Sequence, residues 1–224
     1  MNMTSEDFIN IYWSQYISLE KEFSQTFHYL SIDDSNELAY SQAYAKLMLG
    51  IGSEVDVVFK EYCKLIDSAF KSSYNSIGRY KVSINNNNPG FIAQEVSLIN
   101  YDKIVKPWVE WNNMDAPFWW TAYNKVKHSR TSIVEIDGVK QEGYKFANQK
   151  YVTIAIAGLY QIMVYFYHII ATSEGKKIVT PLPGSRLFRL SGGIWDQIRF
   201  YDDIALYIDE NTGCMMRVTS TIHY

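Results

Sequence analysis

Residues 151–171 read YVTIAIAGLYQIMVYFYHIIA, a long apolar stretch with little interruption. As a helix it is long enough to span a bilayer, which takes about 20 apolar residues. Thr153, Gln161 and His168 interrupt the stretch, however, and tyrosine is frequent in it. We therefore favour a buried helix over a membrane span, and we predict that residues 147–172 form the central helix of a bundle with no membrane partner.

Three further helices are predicted from apolar side chains that recur at helical spacing. The first begins at Ser5, with acidic residues in its first turn, and fades near residue 30. The second covers residues 37–70, and the third covers residues 116–129 after an aspartate and a proline that favour a helix start. These three helices and the central one give a bundle of about four main helices.

Several segments are predicted to lie outside the main helices. Residues 71–116 show no sustained periodicity, and the asparagine run at 85–88, before Pro89-Gly90, predicts a surface loop. Asp137-Gly138 is typical of a type I′ turn and predicts a small hairpin within residues 132–143. A second hairpin is expected in the C-terminal tail, at residues 205–218.

The predicted fold class is mainly α: an up-and-down helical bundle with small β-hairpins near 132–143 and in the tail. We predict one domain over residues 1–224, with the tail at 178–224 packed on the bundle. Gly50 and Gly52 in the second helix mark a bend or a close crossing with another helix. The composition agrees, since 47% of the residues are hydrophobic and 20% are charged, as in an ordinary globular protein.

The charge of the chain is unevenly distributed. Residues 1–70 hold 11 acidic and 4 basic side chains, a net charge of −7, so the remaining residues carry +4 because the whole chain carries −3. A general polyanion-binding protein normally needs a basic surface, which this balance argues against. A local basic patch in the second part of the chain is still compatible with it.

Cysteines, histidines and known motifs argue against a metal or a bound cofactor. Cys63 and Cys214 are too few for a disulfide framework or a metal site, and the four histidines lack metal-binding spacing. No phosphate-binding loop, GxSxG or GxGxxG motif is present. Residues 1–10 lack the features of a signal peptide, which predicts a cytoplasmic protein.

The candidate functional centre is the predicted third helix, where residues 117–130 read PFWWTAYNKVKHSR. Asn124 and His128 are four residues apart and project from one face of a helix. Lys125, Lys127 and Arg130 add positive charge without an acid in the segment. An imidazole, an amide and cations together suit phosphate binding and proton transfer. The simpler interpretation is a surface histidine near a helix C-terminus, where the helix dipole favours it.

The run at 119–130, WWTAYNKVKHSR, resembles the HEPN superfamily of helical domains found in prokaryotic toxin and anti-phage systems. The resemblance covers roughly residues 35–172. It implies an up-and-down helical bundle, often a two-fold dimer, and in active members a metal-independent ribonuclease. The family motif is an arginine, a polar residue beside it and a histidine four to six residues after the arginine.

The residues of this chain match that motif in part. Asn124 matches the polar residue and His128 the histidine, but Tyr123 stands where the arginine would be and Arg130 follows the histidine. A tyrosine supplies no permanent cation to a phosphoryl transition state, so Lys127 or Arg130 is the alternative source. The resemblance implies His128 and Asn124 as catalytic residues, and the following residues as substrate-binding: Lys127, Arg130, Lys125 and Tyr123.

Two principal functions remain open from the sequence. One is an RNA-directed protein, a metal-independent endoribonuclease of phage defence or of a toxin–antitoxin pair, with RNA, a second copy of itself and an antitoxin-like protein as partners. The other is a non-catalytic helical dimerisation or sensor module with a degenerate site, which the missing arginine favours. A small-molecule or lipid site is a third, weaker alternative.

Overall fold

The structure is a computed structural model that describes residues 3–71, 73, 76–177, 180–192 and 195, with the backbone alone of 198–201, 204–208 and 215–219. It is mainly helical with small antiparallel sheets, as predicted. The α-helices of the described chain are α1 (Ser5–Phe8), α2 (Ser14–Gln25), α3 (Gln42–Ile66), α4 (Ile77–Asn87), α5 (Phe118–His128) and α6 (Gln149–Ser173). The strands are β1 (Val96–Leu98), β2 (Ile104–Val105), β3 (Ile133–Ile136), β4 (Val139–Glu142), β5 (Phe188–Leu190), β6 (Ile198–Tyr201), β7 (Ile204–Ile208) and β8 (Met215–Thr219).

The central helix is α6, which runs through the middle of the core. Its N-cap is Asn148, whose side-chain oxygen accepts a hydrogen bond from the backbone N–H of Tyr151 at 3.1 Å. The helix is long and apolar enough to cross a membrane, but most of it is buried inside the protein. It packs mainly against α3, and burial by protein on nearly every side explains why its sequence is apolar all round.

The first predicted helix is interrupted and ends early. Its cap is Thr4 rather than Ser5: Thr4 and Asp7 form a reciprocal capping box, and the helix then begins at Ser5. A π-helical segment, Ile9–Trp13, joins α1 to α2. The α-helix ends at Gln25, and a 3-10 turn follows it, so the end predicted near residue 30 was too late.

The second predicted helix is α3, and both of its predicted ends were wrong. It begins after Ser41, whose hydroxyl accepts from the N–H of Tyr44, and it ends before Asp67. Residues 37–40 are instead tied to the start of α6: Tyr40 forms a β-bridge with Asn148, and the N–H of Gln149 donates to Ala39. Those tertiary contacts compete with helix extension, and local sequence does not reveal them.

Helix α4 is a correction to the predicted loop. The asparagines at 85–87 form its last turn, and only Asn88 and the Pro89-Gly90 turn lie beyond it. Ser76 caps the start of the helix, and Tyr80 and Ile84 bury one narrow apolar face. Because three asparagines and few apolar residues occupy this helix, packing of that face rather than intrinsic propensity stabilises it.

The small sheets confirm the predicted hairpins and add one that the sequence did not predict. Strands β3 and β4 pair antiparallel, and Asp137 and Gly138 both have positive φ, as the type I′ turn requires. In the tail, β7 pairs with β8 as predicted and also with β6; residues 209–214, which include the turn of the predicted hairpin, lie outside the described residues. The unpredicted sheet has the order β2-β1-β5 and joins residues 188–190 to residues 96–98.

Part of the tail packs on the bundle through buried polar contacts. Trp13 donates its indole N–H to the carbonyl of Pro183 at 2.8 Å. The buried carboxylate of Glu20 on α2 accepts from Tyr16, from Ser185 and from the backbone N–H of Leu187. These contacts dock residues 183–190 on α2, next to the central helix.

Candidate functional site

Helix α5 forms the candidate site, and its buried face positions it. Pro117 precedes its first residue without a side-chain cap. Trp119, Tyr123 and Val126 recur at helical spacing on the buried face. The indole N–H of Trp119 donates to the carbonyl of Pro107 at 2.8 Å, which satisfies its buried polar atom. The other face of α5 remains available to solvent.

Tyr123, which stands where the resembled motif has an arginine, is a packing residue. It is only 5% exposed. A β-carbon built on Gly52 of α3 would lie 2.4 Å from the Cδ2 atom of its ring, so α5 and α3 approach closely at this pair. The close crossing predicted for Gly52 is therefore present, and the ring of Tyr123 does not face a substrate.

The hydroxyl of Tyr123 meets Lys127, which lies one turn further along the helix. The ammonium of Lys127 donates to this hydroxyl at 3.3 Å and lies 5.4 Å from the ring centroid. A cation over a tyrosine ring is attracted by its negative face. Lys127 is thus held at the end of α5 with its charge still exposed.

Asn124 and His128 lie on one side of α5, one turn apart, as predicted. Asn124 is half-buried, and its amide donates to the carbonyl of Trp120 at 3.1 Å. His128 is the last residue of α5 and is exposed. Among the hydrogen bonds of the described residues none joins the Asn124 and His128 side chains, so the geometry allows Asn124 to contact a ligand but does not make it the group that orients His128.

The chain reverses sharply after α5 and holds Arg130 close to the helix end. The Nε of Arg130 donates to the carbonyl of Val126 at 2.9 Å, and its own carbonyl accepts from the N–H of Tyr144 at 3.0 Å. Gly143 is packed so tightly here that a β-carbon would lie 2.2 Å from the carbonyl oxygen of Ser129. Only glycine fits this close backbone approach.

The positive charges at this helix end have no acidic partner in the part of the chain that is described. Ion pairs there involve other lysines, among them Lys145 with Glu142 and Lys150 with Asp137, but not Lys125, Lys127 or Arg130. Lys127 and Arg130 are exposed, whereas Lys125 is half-buried. His128, Lys127 and Arg130 are therefore all exposed within residues 127–130, at the end of α5.

Two tyrosines beside Arg130 belong to the same surface, and the sequence did not indicate them. Tyr40, just before α3, and Tyr144, in the 3-10 turn Gly143–Phe146, have ring centroids 5.5 Å apart in an edge-to-face arrangement. The neighbouring side chain of Tyr40 raises the pKa of Tyr144. Tyr40 and Tyr144 are 104 positions apart in the sequence, so no local pattern indicates this pairing.

The remaining titratable candidates do not form a second cluster with α5. Cys63 is buried in the core, and burial raises the pKa of its thiol to about 12, so it is not a reactive thiolate. His168 is half-buried on α6, and burial lowers the pKa of its imidazole. No group of three metal-ligating side chains occurs among the described residues. Cys214 and His223 lie outside them.

Comparison with family models, with curated proteins and with solved structures finds no match for this chain. The resemblance to the HEPN superfamily therefore rests on the residues of α5 and on the order of the helices around it.

Proposed function

We propose that this chain is an RNA-directed, HEPN-like cytoplasmic protein that acts at the C-terminal end of α5 as a metal-independent endoribonuclease of a phage-defence or toxin–antitoxin system. One observation supports this most directly: His128, Lys127 and Arg130 are exposed together, and no described acid pairs with either cation. Cations without acidic partners beside an imidazole can bind a phosphate and move a proton at the same place.

The helix dipole alone also favours basic residues at this position, by about 0.3–1 kcal/mol each. Two contacts go beyond that general preference. Lys127 is drawn back over Tyr123 and Arg130 is bonded to Val126, so both side chains are held near the helix end rather than extended into solvent. Partial ordering before binding lowers the entropy cost of holding a phosphate.

The proposed reaction is transesterification of the RNA backbone. The ribose 2′-oxygen bonds to the adjacent phosphorus, the bond from phosphorus to the 5′-oxygen breaks, and a 2′,3′-cyclic phosphate and a 5′-hydroxyl result. His128 takes the proton of the 2′-hydroxyl, and an imidazolium returns one proton to the leaving oxygen, so the step consumes no cofactor. Lys127 and Arg130 stabilise the charge on the non-bridging phosphate oxygens.

The test compares two exposed histidines at helix ends. His128→Ala is expected to lower cleavage of total RNA and tRNA by roughly 10²–10⁴-fold, the usual cost of losing a general acid–base. His28→Ala is the matched control, because His28 is also exposed and ends the 3-10 helix Thr26–His28. Cleavage should persist in EDTA. Unchanged cleavage by His128→Ala, or dependence on added Mg²⁺ or Mn²⁺, would contradict the proposal.

We also propose, from the habit of the resembled family, a homodimer in which the two α5 helices lie near the shared interface. A second imidazole from the other copy would then supply the proton for the leaving oxygen. Light scattering at micromolar concentration should show twice the chain mass of 26.0 kDa. A particle with the mass of one chain would count against the dimer. An antitoxin-like protein partner is expected to cover the same surface.

A specific observation supports the second candidate, a non-catalytic dimerisation or sensor module. Tyr123 is a core residue, and the amide of Asn124 donates a hydrogen bond to its own helix, so two of the three motif positions contact the protein itself in the isolated chain. Under this alternative His128→Ala changes neither RNA binding nor cleavage, while self-association is retained. RNA cleavage assays and light scattering on the same variants therefore separate the two functions.

A further inference from the structure

A cavity of about 400 Å³ opens beside the end of α5, between that helix and the start of α3. This volume lies within the range of small-molecule sites, about 300–1,000 Å³. The side chains that line it include two aromatic rings, one cation and two uncharged polar groups: Tyr40, Tyr144, Arg130, Ser41 and Gln42. Ala45 and Val126 complete the lining, so the recess combines a mostly apolar surface with a few polar groups, as small-molecule sites usually do.

The two tyrosines present ring surface to solvent, although their backbones are held firmly. Tyr40 is 48% exposed and Tyr144 is 37% exposed. The backbone of Tyr40 pairs with Asn148, and the N–H of Tyr144 donates to Arg130. Rigid aromatic surface of this kind costs little entropy when another flat group stacks on it.

Two cations lie at the same recess: Arg130, which has no acidic partner among the described residues, and Lys145, which pairs with Glu142 at 2.8 Å. The ammonium of Lys145 lies 5.9 Å from the ring centroid of Tyr40 and 5.8 Å from that of Tyr144. Arg130 lines the recess itself and is two residues beyond His128, so it connects the cavity with the proposed site. Exposed aromatic rings among cations are the usual means of binding unpaired bases and their phosphates.

We infer that this cavity binds one unpaired nucleobase of single-stranded RNA, which stacks on the ring of either Tyr40 or Tyr144 and packs against the other, because the two rings are nearly perpendicular. The inference rests on the proposed RNA-directed function and names its substrate class: single-stranded rather than paired RNA. Arg130 contacts the phosphate that leads from this base towards His128, and Ser41 and Gln42 offer a hydroxyl and an amide to the edge of the base. Bases in a duplex remain stacked on their neighbours and do not reach the recess.

The test measures fluorescence anisotropy of a short labelled oligoadenylate, of the same strand in a duplex, and of an abasic strand of equal length. Tyr144→Ala and Tyr40→Ala should weaken binding of the oligoadenylate by roughly 5- to 100-fold, as expected for one lost stacking contact. Tyr144→Phe keeps the ring and should bind normally. Tyr29→Ala is the control, because Tyr29 is 92% exposed and lies outside this cavity.

Other arms separate this inference from the proposed function. Arg130→Gln should weaken the oligoadenylate and the abasic strand alike, whereas the tyrosine variants should leave the abasic strand unaffected. If His128→Ala abolishes cleavage but Tyr144→Ala behaves like Tyr29→Ala, the base site is overturned and the catalytic proposal stands. If His128→Ala leaves cleavage unchanged while binding still depends on the tyrosine rings, the catalytic proposal is overturned and the base site stands. A chain that binds no oligoadenylate overturns the base site, and so does burial of Tyr40 and Tyr144 in a self-association interface. The catalytic proposal is decided separately, by whether cleavage of total RNA and tRNA depends on His128.

Discussion

The ring of Tyr123 on α5 lies against Gly52 of α3, so closely that a β-carbon at Gly52 would come within 2.4–2.7 Å of three ring atoms. This pair sets the distance between the two helices and, through it, the orientation of α5. The same contact places Tyr123, which stands where the resembled motif has its arginine, inside the core. Helix α5, which we propose to act on RNA, is thus held in place by Tyr123, the one residue that departs from the resembled motif.

Gly52→Ala is expected to destabilise the protein by about 1–3 kcal/mol, because the added methyl overlaps a ring that has little room to move. The gain in helix propensity, about 1 kcal/mol, offsets only part of this cost. Thermal unfolding followed by circular dichroism measures this loss of stability as a lower melting temperature. Gly90→Ala is the control, since a β-carbon there meets nothing within 4 Å. Equal melting temperatures for the two variants would contradict the close crossing.

Tyr123→Arg restores the resembled motif, but we expect it to destabilise the fold by on the order of 3 kcal/mol or more. The ring contact with Gly52 is lost and a guanidinium is placed at a buried position. Tyr123→Phe retains the ring and loses only the bond from Lys127, so its cost should stay below about 1.5 kcal/mol. A stable Tyr123→Arg protein with increased ribonuclease activity would show that the side chain can turn outwards.

Glu20→Ala is expected to release residues 185–188 from α2 and to cost on the order of 2–4 kcal/mol, because buried donors lose their acceptor. Glu20 is 4% exposed and accepts from Tyr16 at 2.8 Å and from Leu187 at 3.2 Å. Hydrogen exchange at Leu187 and Phe188 should increase. Glu22→Ala removes only an exposed pair with Lys46, and its cost should remain under about 1 kcal/mol.

His168 should make the free energy of unfolding depend on pH in the acidic range. Burial lowers its pKa in the folded state, so the unfolded chain binds more protons once the pH falls below about 6.5. The free energy of unfolding should therefore decrease as the pH is lowered through this value, and His168→Phe should remove that decrease. Urea titrations between pH 7.5 and pH 5 measure it. His28→Gln, at an exposed position, should leave the slope unchanged.

The sequence predicted the helices whose apolar pattern is strong and missed the element whose pattern is weak. Residues 149–173 and the Asp137-Gly138 turn could be identified because the deciding physics is local: continuous apolar composition and two residues that adopt positive φ. Helix α4 could not, because its three asparagines resemble a loop and burial of Tyr80 and Ile84 stabilises it. The pairing of β1 with β5 spans about 90 residues and has no local signal.

The candidate site likewise has features that the sequence predicts and features that only the tertiary structure decides. That Asn124 and His128 share one side of α5, with Lys127 near the helix end, followed from their spacing on a helix, since its geometry is regular. The tertiary structure alone decided that Tyr123 faces Gly52, that Gly143 closes on Ser129, and that Tyr40 lies beside Tyr144. Contacts between segments far apart in the chain depend on how the helices cross. Helical periodicity indicates which face of a helix is buried, but it does not indicate which residues of another element pack against that face.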